Sequence, residues 1–172
     1  MRIVESGLDG VLLVEQERSG DDRGFIARTY DVDLMPPIMQ MSTSFTARAG
    51  TLRGLHYQVA PHGESKLVRC TRGAIFDVAV DLRPQSPTRH HWFAAQLSAE
   101  NGRALLIAAG FAHGLQTLTD DAEVLYAMDA PYVPEAAHGV RWDDPAFMIE
   151  WPDPPPSGRT ISQRDAAYPD IE

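Results

Sequence analysis

The stretch RGLHYQ, residues 53–58, sets a histidine and a glutamine inside what reads as a β-strand. At period two, Arg53, Leu55 and Tyr57 share one face and Gly54, His56 and Gln58 the other, so each face carries a group that takes protons or charge. Lys66 follows, the only lysine beside fourteen arginines. An ammonium is compact and holds a proton near one atom, which a delocalised guanidinium does poorly, so this lysine is a candidate for chemistry. His113 lies in IAAGFAHGLQTL, among small residues at the end of a strand. In EVLYAMDAPY, Tyr126 shares a mostly apolar face with Val124 and Met128, while Glu123 points the other way. In AIFDVAVDLR, Phe76, Val78, Val80 and Leu82 form one apolar face and Asp77 and Asp81 lie on the other. If buried, those aspartates need hydrogen-bond or charge partners. That face either meets solvent or, if the sheet rolls up, shares an interior with His56.

These side chains need a frame, and the bulk properties bound it. A chain of 172 residues suits one domain, 1–172, with a full core. A net charge of -9 with a pI near 5.0 argues against a broad basic surface for nucleic acid. An anionic ligand is repelled at long range, so its site needs local arginines. The single Cys70 cannot form an internal disulfide, which fits a reducing cytoplasm, and within KLVRC it reads as a buried structural thiol. No run approaches the roughly 18 apolar residues of a membrane span. The N-terminal MRIVESGLDG lacks the apolar centre of a signal peptide, so a soluble cytoplasmic protein is expected.

Short strand-like runs dominate: VLLVEQ, RGFIARTY, IMQMSTSF, TLRGLHYQ, KLVRCT, AIFDVAVDL, WFAAQL, RALLIA and AEVLYAMD. Turn residues punctuate them at APHGES, TRG, RPQSPT, SAENG and LTDD. This spacing, without long helical periods, predicts an all-β sandwich or barrel. Helix is expected only around DVDLM and SQRDAAY, and the proline-rich WPDPPPSG reads as a strap returning the C-terminal segment over the barrel.

The ordered set DDRGF, TLRGLHYQ, KLVRCTRGAIFDVAVDLRPQSPT, LSAEN, GFAHGLQTL, RWDDP, IEWP and SQRD resembles the dTDP-4-dehydrorhamnose 3,5-epimerase family over nearly the whole chain. The resemblance implies an antiparallel jelly roll, a cupin-like β-barrel with a few short helices, acting as a homodimer without metal or organic cofactor. It implies a nucleotide-sugar substrate, dTDP-linked, whose 4-keto group acidifies the protons on carbons 3 and 5. By the same resemblance His56 matches the base, Asp165 the carboxylate that orients it, Lys66 the cation beside the keto oxygen, and Tyr126 the acid on the opposite face. His113 matches a second pocket histidine and Asp77 a nearby acid. Arg53 and Arg23 match arginines that hold the pyrophosphate, Arg23 reaching across from the partner subunit. Gln40, Gln58 and Tyr132 complete the implied substrate-binding set.

Departures from the family pattern fall at the edges of this set. Arg28 stands where glutamate is usual, Ser42 where asparagine is usual, Ala108 for a common proline and Leu115 for phenylalanine. They leave open which sugar and nucleotide are used, and whether one carbon or both are inverted. Two rival readings share the fold. A metal-dependent cupin would use His56, His62, Glu64 and His113, although the first two histidines of such sites generally lie one residue apart. A silent sugar-nucleotide binder would need no base facing an acid. His90, His91 and His138 read as surface residues.

Overall fold

The computed structural model describes residues 1–171. Its strands are β1 (Arg2–Glu5), β2 (Val11–Glu15), β3 (Ser19–Asp21), β4 (Gly24–Ile26), β5 (Gln40–Thr46), β6 (Thr51–Gln58) and β7 (Lys66–Arg72). There follow β8 (Ala74–Asp81), β9 (Trp92–Ser98), β10 (Ala104–Ile107), β11 (Phe111–Thr117), β12 (Ala122–Met128), β13 (Ala137–Gly139) and β14 (Thr160–Ile161). One short helix, α1 (Gln163–Ala166), comes last. The strands form an antiparallel jelly roll of two six-stranded sheets, ordered β1-β2-β10-β7-β12-β5 and β13-β6-β11-β8-β9, with β14 parallel to β6.

The apolar interior lies between the sheets. Val11, Val68, Cys70, Ile75, Leu97, Leu105, Ile107, Leu115 and Val124 fill it, so the thiol is structural. The outer faces are covered as well. Segment 30–38 lays Tyr30, Leu34, Met35 and Ile38 on Leu67, Leu106 and Ala127 of the first sheet. On the second, Val140, Phe147, Ile149 and Trp151 cover Leu55, Val78 and Val80. The proline-rich stretch 151–158 carries no strand; it is held by Gln116 Nε2 and Arg159, both donating to the Pro152 carbonyl.

Both faces of β8 are therefore buried, and Asp77 and Asp81 are fully enclosed with partners. Asp81 accepts from Arg83, Ser86 and Thr88 at the far end of the strand, a loop-fixing role away from His56. Burial alone would raise its carboxyl pKa; these donors hold it well below the usual carboxylate range.

Three local expectations change. DVDLM forms no helix: Leu34 N–H donates to Asp31 O and Asp33 N–H to the Asp31 side chain, a turn that Pro36 and Pro37 cannot extend into a helix. RGFIARTY pairs only over Gly24–Ile26, in an exposed hairpin with Ser19–Asp21 where the Arg18 guanidinium lies over the Phe25 ring. His113 sits not at a strand end but inside β11, which pairs with both β6 and β8. FAHGLQT is buried along its whole length, so it has no apolar–polar alternation to mark it as a strand.

Candidate active site

A β-bulge builds the site. His56 pairs with His113 and Arg53 with Leu115, three steps along β6 against two along β11. The extra residue turns Arg53 onto the His56 side, where strict alternation had separated them. Gly54 makes this possible: its φ is +130°, and a Cβ there would lie 2.6 Å from Gly114 Cα.

The resulting cavity, about 430 Å³, opens between the sheets and brings together Gln40, Arg53, His56, Lys66, His113, Tyr126 and Tyr132. Arg53, His56 and His113 come from the second sheet; Gln40, Lys66 and Tyr126 come from the first, across the cavity. Asp165 reaches His56 from α1, whose N-cap Ser162 Oγ accepts from the Asp165 N–H. One carboxylate oxygen of Asp165 lies 2.9 Å from His56 Nε2 and the other accepts from Gly54 N–H at 3.1 Å. A carboxylate only accepts, so Nε2 carries the proton and Nδ1 keeps the lone pair of a base. Burial pushes the His56 pKa below the ordinary histidine value, with His113 and Lys66 pushing the same way and Asp165 opposing.

A second pair runs alongside. His113 Nε2 is 2.8 Å from Asp77 Oδ1, and the His113 ring meets Tyr126 edge-on at 6.0 Å. Burial first, and then the Asp77 charge, push the Tyr126 phenol well above the ordinary tyrosine range. The phenol therefore keeps its proton at neutral pH, the state a donor needs. Arg53 is braced by Thr46 Oγ1 at 3.2 Å, and Gln40 accepts from the Tyr132 N–H at 2.9 Å.

Three expected ligand-binding residues do not line the cavity: Asp77 is fully buried and bonded to His113, and two stand elsewhere. Arg23 is exposed on the β3–β4 hairpin, ion-paired with Asp21 and outside this cavity. Gln58 is buried with its amide spent inside the protein. Its Nε2 donates to Glu64, His62 O and Pro131 O, and its Oε1 accepts from Val133 N–H, so it frames the site instead of facing substrate. Of the departures, Ser42 and Leu115 line the cavity, while Arg28 is exposed and paired with Asp31.

Sequence reasoning missed Ser44 on the cavity wall, Tyr168 edge-on to His56 at 5.8 Å, and the contact of Glu64 with Lys66. A lone lysine preceded two residues earlier by a glutamate was the available signal for the last. His62 stands exposed in the turn after β6, away from His56. Among the described residues, no three His, Cys, Asp or Glu side chains converge as metal ligands.

The dTDP-4-dehydrorhamnose 3,5-epimerase family model matches residues 5–172. A dTDP-4-dehydrorhamnose 3,5-epimerase of Sinorhizobium fredii is 43% identical over 171 residues, covering 94% of this chain and 85% of the relative. The Bacillus anthracis dTDP-4-dehydrorhamnose 3,5-epimerase, solved with TDP and PPi bound, superposes with a TM-score of 0.93 at 37% identity, covering 99% of both chains. The Legionella pneumophila dTDP-6-deoxy-D-glucose-3,5-epimerase, solved with dTDP-4-keto-L-rhamnose, gives 0.91 at 34% identity, covering 98% of this chain and 92% of that one.

Proposed function

The chain belongs to the dTDP-4-dehydrorhamnose 3,5-epimerase family, and we propose that its cavity inverts carbon 3, carbon 5 or both of a dTDP-linked 4-keto-6-deoxy sugar through an enolate. The observation that carries this reading is an imidazole on one sheet, met by a carboxylate from α1, facing a phenol and a lysine on the other sheet. Inversion at a carbon next to a carbonyl requires removal of a proton from one face and return to the other. His56 Nδ1 removes the proton, and Asp165 steadies the imidazolium that forms. Lys66 balances the charge growing on the keto oxygen. Tyr126 returns a proton from the opposite side, and Arg53 binds the diphosphate. The test is turnover of dTDP-linked 4-keto sugars in deuterium oxide, with the label located carbon by carbon by NMR. Label at carbon 3 or 5 with inverted configuration is expected; its absence from every such substrate would refute the reading.

The pH profile follows from the His56 environment. Catalysis needs the neutral imidazole, and the shift lies below the ordinary value of 6.5. The midpoint of the acid limb of kcat/KM therefore lies below 6.5. Asp165→Asn removes the influence that raises the pKa, so the acid limb moves lower still while the maximal rate drops. An acid limb above the ordinary histidine value would contradict this assignment.

The working unit is a homodimer. Met39, Met41 and Phe45 stand exposed along the outer side of the edge strand β5, with Phe25 and Ile26 exposed on the hairpin. A second copy covering this face would bury them, and Arg23 on the same hairpin then serves the neighbouring cavity. Arg23→Ala should raise KM by about tenfold or more with little change in kcat, as loss of a charged phosphate contact does. Sedimentation checks the assembly: a monomer that keeps full activity would rule the dimer out.

A further inference from the structure

Lys66 is the protein's only lysine, and its ammonium lies buried in the cavity wall. Its side chain is 9% exposed and that of Glu64 12%, and Nζ lies 2.8 Å from Glu64 Oε1. Among the described residues, Glu64 supplies the only carboxylate within ion-pair distance of Nζ. A buried ammonium without a counter-charge is costly, and here Arg53 and two histidines share the same cavity. The second oxygen of Glu64 accepts from Gln58 Nε2 at 3.0 Å, and Gln58 is in turn fastened to the backbone at His62, Pro131 and Val133. The ammonium is thus tied through Glu64 to the turn after β6 and to the segment after β12.

We propose that Glu64 is a positioning residue for the epimerisation, acting through Lys66; the inference rests on the function proposed above. An ammonium has three N–H bonds. Committing one to Glu64 fixes the directions of the other two, so that they meet the enolate oxygen without first reorganising. Glu64 cancels enough charge to hold Lys66 in the wall and leaves the reacting oxygen to draw on the remaining donors.

The test uses the whole protein and Glu64→Gln, which keeps the size of the side chain and an acceptor for Gln58. With a single lysine, a protein labelled with ¹⁵N at the lysine side chain gives one ammonium correlation by NMR. That signal should be visible in the unmodified protein and lost to solvent exchange in Glu64→Gln. The same variant should lose about ten- to a hundredfold in kcat, the range for removing an outer partner of a functional group, with KM within about twofold. In a Lys66→Met background, Glu64→Gln should cost nothing further, because the residue it acts through is gone. An unchanged ammonium signal in an active enzyme, or a loss that adds in full to that of Lys66→Met, would overturn the assignment of Glu64 alone. A parent enzyme that exchanges no deuterium into any 4-keto sugar nucleotide would overturn the epimerase reading itself, and the positioning role with it.

Discussion

His56→Ala is expected to abolish inversion and deuterium uptake together. If His56 is the base, no enolate forms without it, and neither face of the sugar can then exchange. General-base catalysis contributes about a hundred- to ten-thousandfold, and the loss should fall within that range. His113 is the other imidazole of the cavity; its Nε2 meets Asp77 and its ring meets Tyr126 edge-on. If Arg53 holds the diphosphate as proposed, binding of the sugar nucleotide should survive the loss of the base. Calorimetry with dTDP and NMR of the reaction in deuterium oxide separate the two effects. Deuterium uptake at the unmodified rate in His56→Ala would move the base elsewhere.

Tyr126→Phe should fail differently. The phenol keeps its proton because of burial and the Asp77 charge, and it stands on the sheet opposite His56. Its removal leaves proton abstraction possible and impairs return from the far side. Deuterium should therefore enter with retained configuration faster than inversion occurs, the imidazolium exchanging its proton with the deuterium oxide and returning a deuteron to the face it took from. The measurement is the ratio of label in recovered substrate to label in inverted product, which should rise by about tenfold or more if a positioned acid has been lost. Equal losses of exchange and inversion would make Tyr126 a partner in proton removal instead.

The sequence made the frame of this site readable, but not every line of sight within it. TLRGLHYQ, KLVRCT and AIFDVAVDL coincide with β6, β7 and β8 to within a residue, because turns with glycine and proline bound them sharply. β11 escaped notice because a strand buried on both faces carries no period. The grouping of Arg53 with His56 was hidden by the bulge at Gly54, a one-residue offset that exists only in the pairing of β6 with β11. Asp165 lies 109 residues from His56, a contact that no local pattern encodes and that only resemblance to relatives suggested. Alternation sets Gln58 on the His56 face, but alternation gives a side, not a partner; the turn that folds back on it decides where its amide goes.

The last helix also has a meaning for synthesis. The carboxylate that faces His56 lies on α1, the last helix among the described residues, and the same carboxylate accepts from the Gly54 N–H in the middle of β6. A ribosome making this protein completes β6 long before that carboxylate is translated. Until α1 docks, the imidazole has no acceptor for its Nε2 proton and the bulge has an unanswered amide. If Asp165 orients the base as proposed, a product clipped before Ser162 lacks the group on which the chemistry depends. Activity thus reports that the chain has been made and folded through to α1.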